Sequence, residues 1–151
     1  MAWTTPVAYC SSGGGVVSSM HRARPLPRRI LIADDSALVR QILADRLGDI
    51  DDLEVVGEAV DGVEAVDQTE ATRPEIVLLD LQMPRMSGLQ ALRAIRKRVP
   101  ETRVIVLTNH ADPVYRRTCL AAGAAHFMDK SEDLEDLDAV IRGLAVDDAQ
   151  A

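Results

Sequence analysis

Four short, mostly aliphatic runs in this chain each end in residues capable of polar chemistry. Ile30-Leu-Ile-Ala33 is followed by Asp34-Asp35, Ile76-Val-Leu-Leu79 by Asp80, and Val104-Ile-Val-Leu107 by Thr108. His126-Phe-Met-Asp129 is followed by Lys130. Three carboxylates brought to one rim repel each other and resist full ionisation. A hard divalent cation with oxygen ligands relieves that repulsion. Mg2+ suits such a place, since it takes one or two carboxylates together with waters and phosphate oxygens. A lysine offers a compact positive charge to a phosphate, and a threonine hydroxyl can donate to another phosphate oxygen. The set describes phosphoryl transfer to an aspartate, with Asp80 attacking in line.

The elements that must position these groups follow from the apolar pattern. A short continuous apolar run bounded by turn signals reads as a strand buried on both faces. Five strands are expected: Arg28–Asp35, Leu53–Val60, 76–80, Arg103–Thr108 and His126–Asp129. Helices should alternate with them. The first follows Ser36 with Leu38, Val39, Ile42 and Leu47 inward. The second follows Asp61-Gly62 with Val63, Val66 and Thr69 inward. The third runs from about Gly88 to Val99 with Leu89, Leu92 and Ile95 inward. Asp112 caps a fourth helix with Pro113 at its first position, and Gly123 closes it. Ser131 is expected to cap a fifth, with Glu132 and Asp133 in its first turn. Strands alternating with helices imply a parallel sheet covered on both sides. The flavodoxin-like order 2-1-3-4-5, a doubly wound (βα)5 α/β fold, is the common solution for five such units. In that order strands 1, 3, 4 and 5 are contiguous, and ligands bind at the carboxyl ends of strands in open α/β sheets.

With these residues in view, the chain resembles a response-regulator receiver domain of two-component signalling, over roughly 29–145. The resemblance implies that Asp34 and Asp35 are an acidic metal pair and Asp80 the phosphoacceptor. Gln82 would offer its backbone carbonyl to Mg2+, Pro84 and Gly88 match the loop, Thr108 and Phe127 match a switch pair, and Lys130 contacts the phosphate. Three departures stand out. Asn109 occupies a position usually held by a small residue, Ser131 follows Lys130 where many members have proline, and Phe127 replaces the more frequent tyrosine. A cis bond before Ser131 would cost more than a prolyl one.

Composition narrows the function classes. The 151 residues suffice for one domain with a core. No apolar run approaches a membrane span, so membrane insertion is not expected. Aromatics are only 3%, which argues against a base-stacking surface. Four of the 17 basic residues, Arg22, Arg24, Arg28 and Arg29, precede every acidic one. Residues 30–151 therefore carry 13 basic against 24 acidic side chains, a net −11, which disfavours nucleic acid as a direct partner. Cys10 and Cys119 lack metal-type spacing and read as reduced thiols of a cytoplasmic protein. Residues 1–27, rich in Ser, Gly and Pro, read as a disordered tail, or as sequence upstream of a start at Met20. The domain is expected over 28–146, with a frayed tail at 147–151.

The expected function is a stand-alone receiver, phosphorylated by a histidine kinase or phosphotransfer protein and not otherwise an enzyme. It would signal to a protein effector, or to a second copy, through helix four, strand five and helix five. Tyr115, Arg116 and Arg117 lie on the helix that would move. A phosphate sink or relay intermediate is one alternative, and a receiver fragment of a longer transcriptional regulator is another. A phosphatase with an aspartyl nucleophile carries a second aspartate two residues on, where this chain has Gln82. His110 and His126 read as structural or solvent-facing, and Met83 and Met86 as loop packing.

Overall fold

The computed structural model describes residues 27–109 and 111–150, with side chains described as far as 144. Cys10, His110 and nearly all of the expected N-terminal tail lie outside them. Five parallel strands, β1 (Arg28–Ala33), β2 (Leu53–Ala59), β3 (Ile76–Leu79), β4 (Arg103–Thr108) and β5 (His126–Asp129), form one sheet in the order β2-β1-β3-β4-β5. Between and after them come α1 (Ala37–Gly48), α2 (Gly62–Thr72), α3 (Gly88–Arg98), α4 (Pro113–Ala121) and α5 (Leu137–Gln150). The fold is the expected flavodoxin-like one.

The strand period of two sorts the core into two layers. Ile30, Ile32, Ile76, Leu78, Ile105 and Leu107 pack with Leu43 and Leu47 of α1 and with Leu137, Ile141 and Leu144 of α5. Leu31, Ala33, Val77, Leu79, Val104 and Val106 point the other way, against α2, α3 and Cys119 of α4. Register aligns Ile30 with Ile76 and Ile76 with Arg103, so the carboxyl ends of β1, β3 and β4 finish on one rim.

Four local expectations are corrected. On α1, Leu38 and Ile42 are 67% and 45% exposed, while Leu43 and Leu47 are buried and Val39 lies between. Residues 39, 43 and 47 make one i, i+4 stripe and 38 and 42 another, about 100° round the helix; the sheet takes the first. On α2, Ala65 is buried with Val66 and Thr69, and Val63 is only half-buried. β2 stops at Ala59, leaving Val60 exposed. Ser131 caps no helix. The chain turns after β5, passes through a 3-10 turn at Leu134–Asp136, and enters α5 only at Leu137. α5 then runs to Gln150, into the stretch expected to fray.

Candidate functional site

The site residues sit one step beyond the strands, held by ladder bonds that continue past the strand ends. The Asp34 N–H donates to the Ala59 carbonyl at 3.0 Å, Asp80 N–H to Ala33 at 3.0 Å, and Lys130 N–H to Thr108 at 2.9 Å. Each side chain therefore leaves a backbone whose N–H is tied to a neighbouring strand. Asp34 and Asp80 are buried, at 2% and 7% exposure, and Asp35 is exposed beside them. One carboxylate oxygen from each lies within 4.8 Å of the other two. Lys130 reaches in from β5: its Nζ donates to Asp34 Oδ2 and stands 3.4 Å from Asp80 Oδ2. Asp34 Oδ1 accepts from the Ser36 N–H at 2.9 Å.

These groups line a cleft of about 310 Å³ together with Ser36, Val39, Gln82 and Asn109. Burial, joined by the negative charge of Asp34, pushes the Asp80 carboxyl above its ordinary range. The Lys130 ammonium and the Gln82 N–H act in the opposite direction. Excess acidity around a buried carboxylate is the donor set that a hard cation satisfies.

The loop between β3 and α3 is held at close quarters. A Cβ on Gly88 would stand 2.0 Å from the Asp80 carbonyl oxygen, so only glycine lets α3 begin there. The Gly88 N–H donates to Leu81 at 2.9 Å, and Ser87 and Gln90 form a capping box on α3. Arg85 adopts φ 66°, a left-handed conformation unusual for arginine. Its Nε donates to Oδ2 of the buried Asp61 at 2.8 Å, while Asp61 Oδ1 accepts from the Glu64 N–H and caps α2. Arg85 holds the Asp61 carboxyl below its usual range. This tie between α2 and the loop escapes sequence reading, because nothing local links positions 61 and 85.

Thr108 is fully buried at the end of β4 and does not line the cleft. Phe127 is 4% exposed and packs in the α2–α4 layer. The Arg116 guanidinium lies 5.9 Å from its ring centre and donates to its carbonyl at 3.3 Å. Met83 and Met86 pack partly buried against the core, and His126 is exposed at the start of β5. All peptide bonds among the described residues are trans, Lys130–Ser131 included.

Residues 30–142 match the response regulator receiver domain family. The chain belongs to that family. Phosphorylation on an aspartate and Mg2+ binding at an acidic pocket are general features of it, as are interactions with histidine kinases, phosphotransfer proteins and effector domains. Among curated proteins, the uncharacterized transcriptional regulatory protein YhcZ of Bacillus subtilis (strain 168) is 42% identical over 109 residues, covering 72% of this chain and 51% of YhcZ. A protein-glutamate methylesterase/protein-glutamine glutaminase of Pyrococcus horikoshii is 44% identical over 105 residues, covering 68% of this chain and 28% of the relative. The chain thus spans about half, or less, of the length of these relatives. Among solved structures, the response regulator domain of Thermotoga maritima CheB is similar with a TM-score of 0.69 and 31% identity, over 79% of this chain and 92% of that one. A receiver is a signalling domain, and among the described residues no helix is long and apolar enough to cross a membrane.

Proposed function

We propose that this protein accepts a phosphoryl group on Asp80 and converts it into a change of its α4–β5–α5 surface. One observation carries the reading. The carboxylate at the end of buried β3 shares a cleft with an acidic pair on β1 and lies 3.4 Å from the ammonium of Lys130.

Asp35 and Asp80 are the residues suited to hold Mg2+ directly, with the Gln82 carbonyl beside them. Both oxygens of Asp34 are already engaged, by the Ser36 N–H and by Lys130, which suits contact through water. Bound Mg2+ would neutralise charge on the phosphoryl oxygens. An Asp80 oxygen forms the new O–P bond as the donor's N–P bond breaks, and that electron pair stays on the donor imidazole. Lys130 holds one phosphoryl oxygen, and Thr108 donates its hydroxyl to another. The donor is a histidine kinase or a phosphotransfer protein. The exposed pair Leu38 and Ile42 on α1, the helix that also gives Val39 to the cleft, offers it an apolar seat.

Readout follows from what Thr108 leaves behind. Its movement toward the phosphoryl group opens space that Phe127 can occupy, and Arg116, bonded to the Phe127 carbonyl, couples that change to α4. The recipient is a protein effector or a second copy of the chain. Residues 28–146 make up the acting unit, and a chain beginning at Arg28 should melt with the same midpoint as the whole.

The test is incubation with acetyl phosphate and Mg2+, followed by mapping of the labelled residue. Label on Asp80, absent from Asp80→Asn and from Asp35→Ala, is the expected result. Full labelling of Asp80→Asn would sink the assignment.

A further inference from the structure

The turn that carries Lys130 is built by a carboxylate that the reaction does not otherwise use. Asp129 closes β5. Its Oδ1 accepts from the Ser131 N–H at 2.7 Å and from the Ser131 hydroxyl at 2.6 Å. The Asp129 N–H donates to Asp133 Oδ2 at 2.9 Å, and its carbonyl accepts from the Asp133 N–H at 2.8 Å. Lys130 lies inside this loop of bonds, and its own N–H is tied to Thr108. The peptide units on both sides of the Lys130 Cα are therefore fixed, and only the side chain is left to turn.

Among the described residues, no helix uses that arrangement as its cap. Ser131 caps no helix, because the chain enters regular helix only at Leu137. Ser131 is exposed and Asp129 half-exposed, so the turn adds little to the core. What it does determine is the direction in which a long, flexible side chain leaves the strand. Lysine carries a compact charge on a four-carbon stem and has no planar fork to pre-organise it. Its reach into the cleft depends on where its Cα and Cβ point.

We propose that Asp129, acting through Ser131, is a positioning residue for Lys130: the two side-chain bonds aim the ammonium at the gap between Asp34 and Asp80. The proposal rests on the reading that Lys130 holds the transferred phosphoryl group. Asp129 does not line the cleft and stands outside the acidic cluster, so its loss acts on the lysine's contact and leaves the cluster alone.

The full chain and its Lys130→Ala, Asp129→Ala, Asp129→Asn and Ser131→Ala variants are compared in three measurements. These are Mg2+ affinity by calorimetry, beryllofluoride affinity at saturating Mg2+, and the rate of labelling by acetyl phosphate. Asp129→Ala should lower beryllofluoride affinity and labelling rate roughly tenfold, in keeping with the cost of misplacing one contact group, with Mg2+ affinity nearly unchanged. Ser131→Ala, which removes one of the two bonds, should do the same to a smaller degree. Asp129→Asn should recover most of the loss, since its amide oxygen can accept both bonds. If Lys130→Ala is impaired while Asp129→Ala behaves as wild type, the positioning role is overturned and the reading of Lys130 stands. Equal losses of Mg2+ and beryllofluoride affinity in Asp129→Ala would also overturn it, by revealing a general structural defect. A Lys130→Ala protein identical to wild type overturns both.

Discussion

On one face of the sheet, the helices behind the strand-end rim are buried to very different depths. Behind β1 and β3, α2 buries Gly62, Ala65, Val66 and Thr69, and α3 buries Gly88, Ala91, Leu92 and Ile95. Behind β4 and β5, α4 buries Cys119 alone, although it carries Val114, Tyr115 and Leu120 at 56%, 46% and 41% exposure. In place of packing, α4 has local devices: Asp112 Oδ1 accepts from the Val114 N–H at 2.7 Å, and Pro113 stands at the first position. Asp80 and the loop after it are carried by the deeply packed α2 and α3, whereas Lys130 relies on the side-chain bonds of its own turn. α4 is thinly buried, and a thinly buried helix opens locally at low cost. A two-state element needs only a few kcal/mol of differential contact to change its population, and a weakly held helix meets that condition where α3 cannot.

The largest expected effect breaks the packed side. Gly88→Ala places a Cβ 2.0 Å from the Asp80 carbonyl oxygen, a backbone atom that cannot step aside. Urea unfolding should show a loss above about 2 kcal/mol, in the range of overpacked cores, together with loss of Mg2+-dependent labelling. Gly143→Ala on α5 meets nothing within 4 Å and is the control. It should gain roughly 0.5–1 kcal/mol, because alanine is the better helix former. Equal behaviour of the two variants would mean that the β3–α3 loop is not held as tightly as its contacts imply.

A second measurement compares the helices directly. Amide hydrogen exchange should show α4 opening at least about tenfold more readily than α3, whose buried stripe opens only with the sheet. Beryllofluoride with Mg2+ should then shift amide signals in α4 and β5. Large changes confined to α1 and the edge at β2, with α4 silent, would remove the proposed route of readout.

The strained charge on the packed side gives a smaller, pH-dependent effect. Burial raises the Asp80 carboxyl above the ordinary carboxylate range. The native state therefore favours the protonated form. Its contribution to stability is full below the ordinary carboxylate pKa of the unfolded chain and is lost as pH rises through the raised pKa. Asp80→Asn is neutral at every pH. Without metal it should melt close to wild type in acid and several degrees higher near neutrality, the gap widening as pH rises. Mg2+ should close the gap by stabilising wild type. A constant difference across pH would show that Asp80 carries no charge penalty.

Much of the architecture was legible because a parallel strand buried on both faces is a continuous aliphatic run. Ile30–Ala33 and Ile76–Leu79 announce themselves, and the polar residue after each run is then placed on the rim by topology. What failed was local and had competing solutions. On α1 two apolar stripes one residue apart are both helical, and only the sheet's position selects Leu43 and Leu47 over Leu38 and Ile42. At Ser131 a hydroxyl followed by Glu132 and Asp133 looks like a helix start, yet the Asp129 carboxylate two residues earlier captures both the N–H and the hydroxyl. The tie from Asp61 to Arg85 joins two elements distant in sequence, and periodicity carries no trace of it.

The smallest effect is expected where the two halves meet. Asn109, one residue beyond β4, is exposed and lines the same cleft as Asp80 and Lys130. An acyl phosphate on Asp80 is hydrolysed by water arriving in line, opposite the Asp80 oxygen. A side chain projecting beside the phosphorus narrows that approach, and an amide can also hold a water where it cannot attack. Asn109→Ala removes both obstacles without touching the carboxylates, so the labelling rate and Mg2+ affinity should remain at wild-type values. The phosphoryl half-life, followed by loss of label after the donor is removed, should fall several-fold. A half-life equal to or longer than wild type would show that water reaches the phosphorus by a path that Asn109 does not guard.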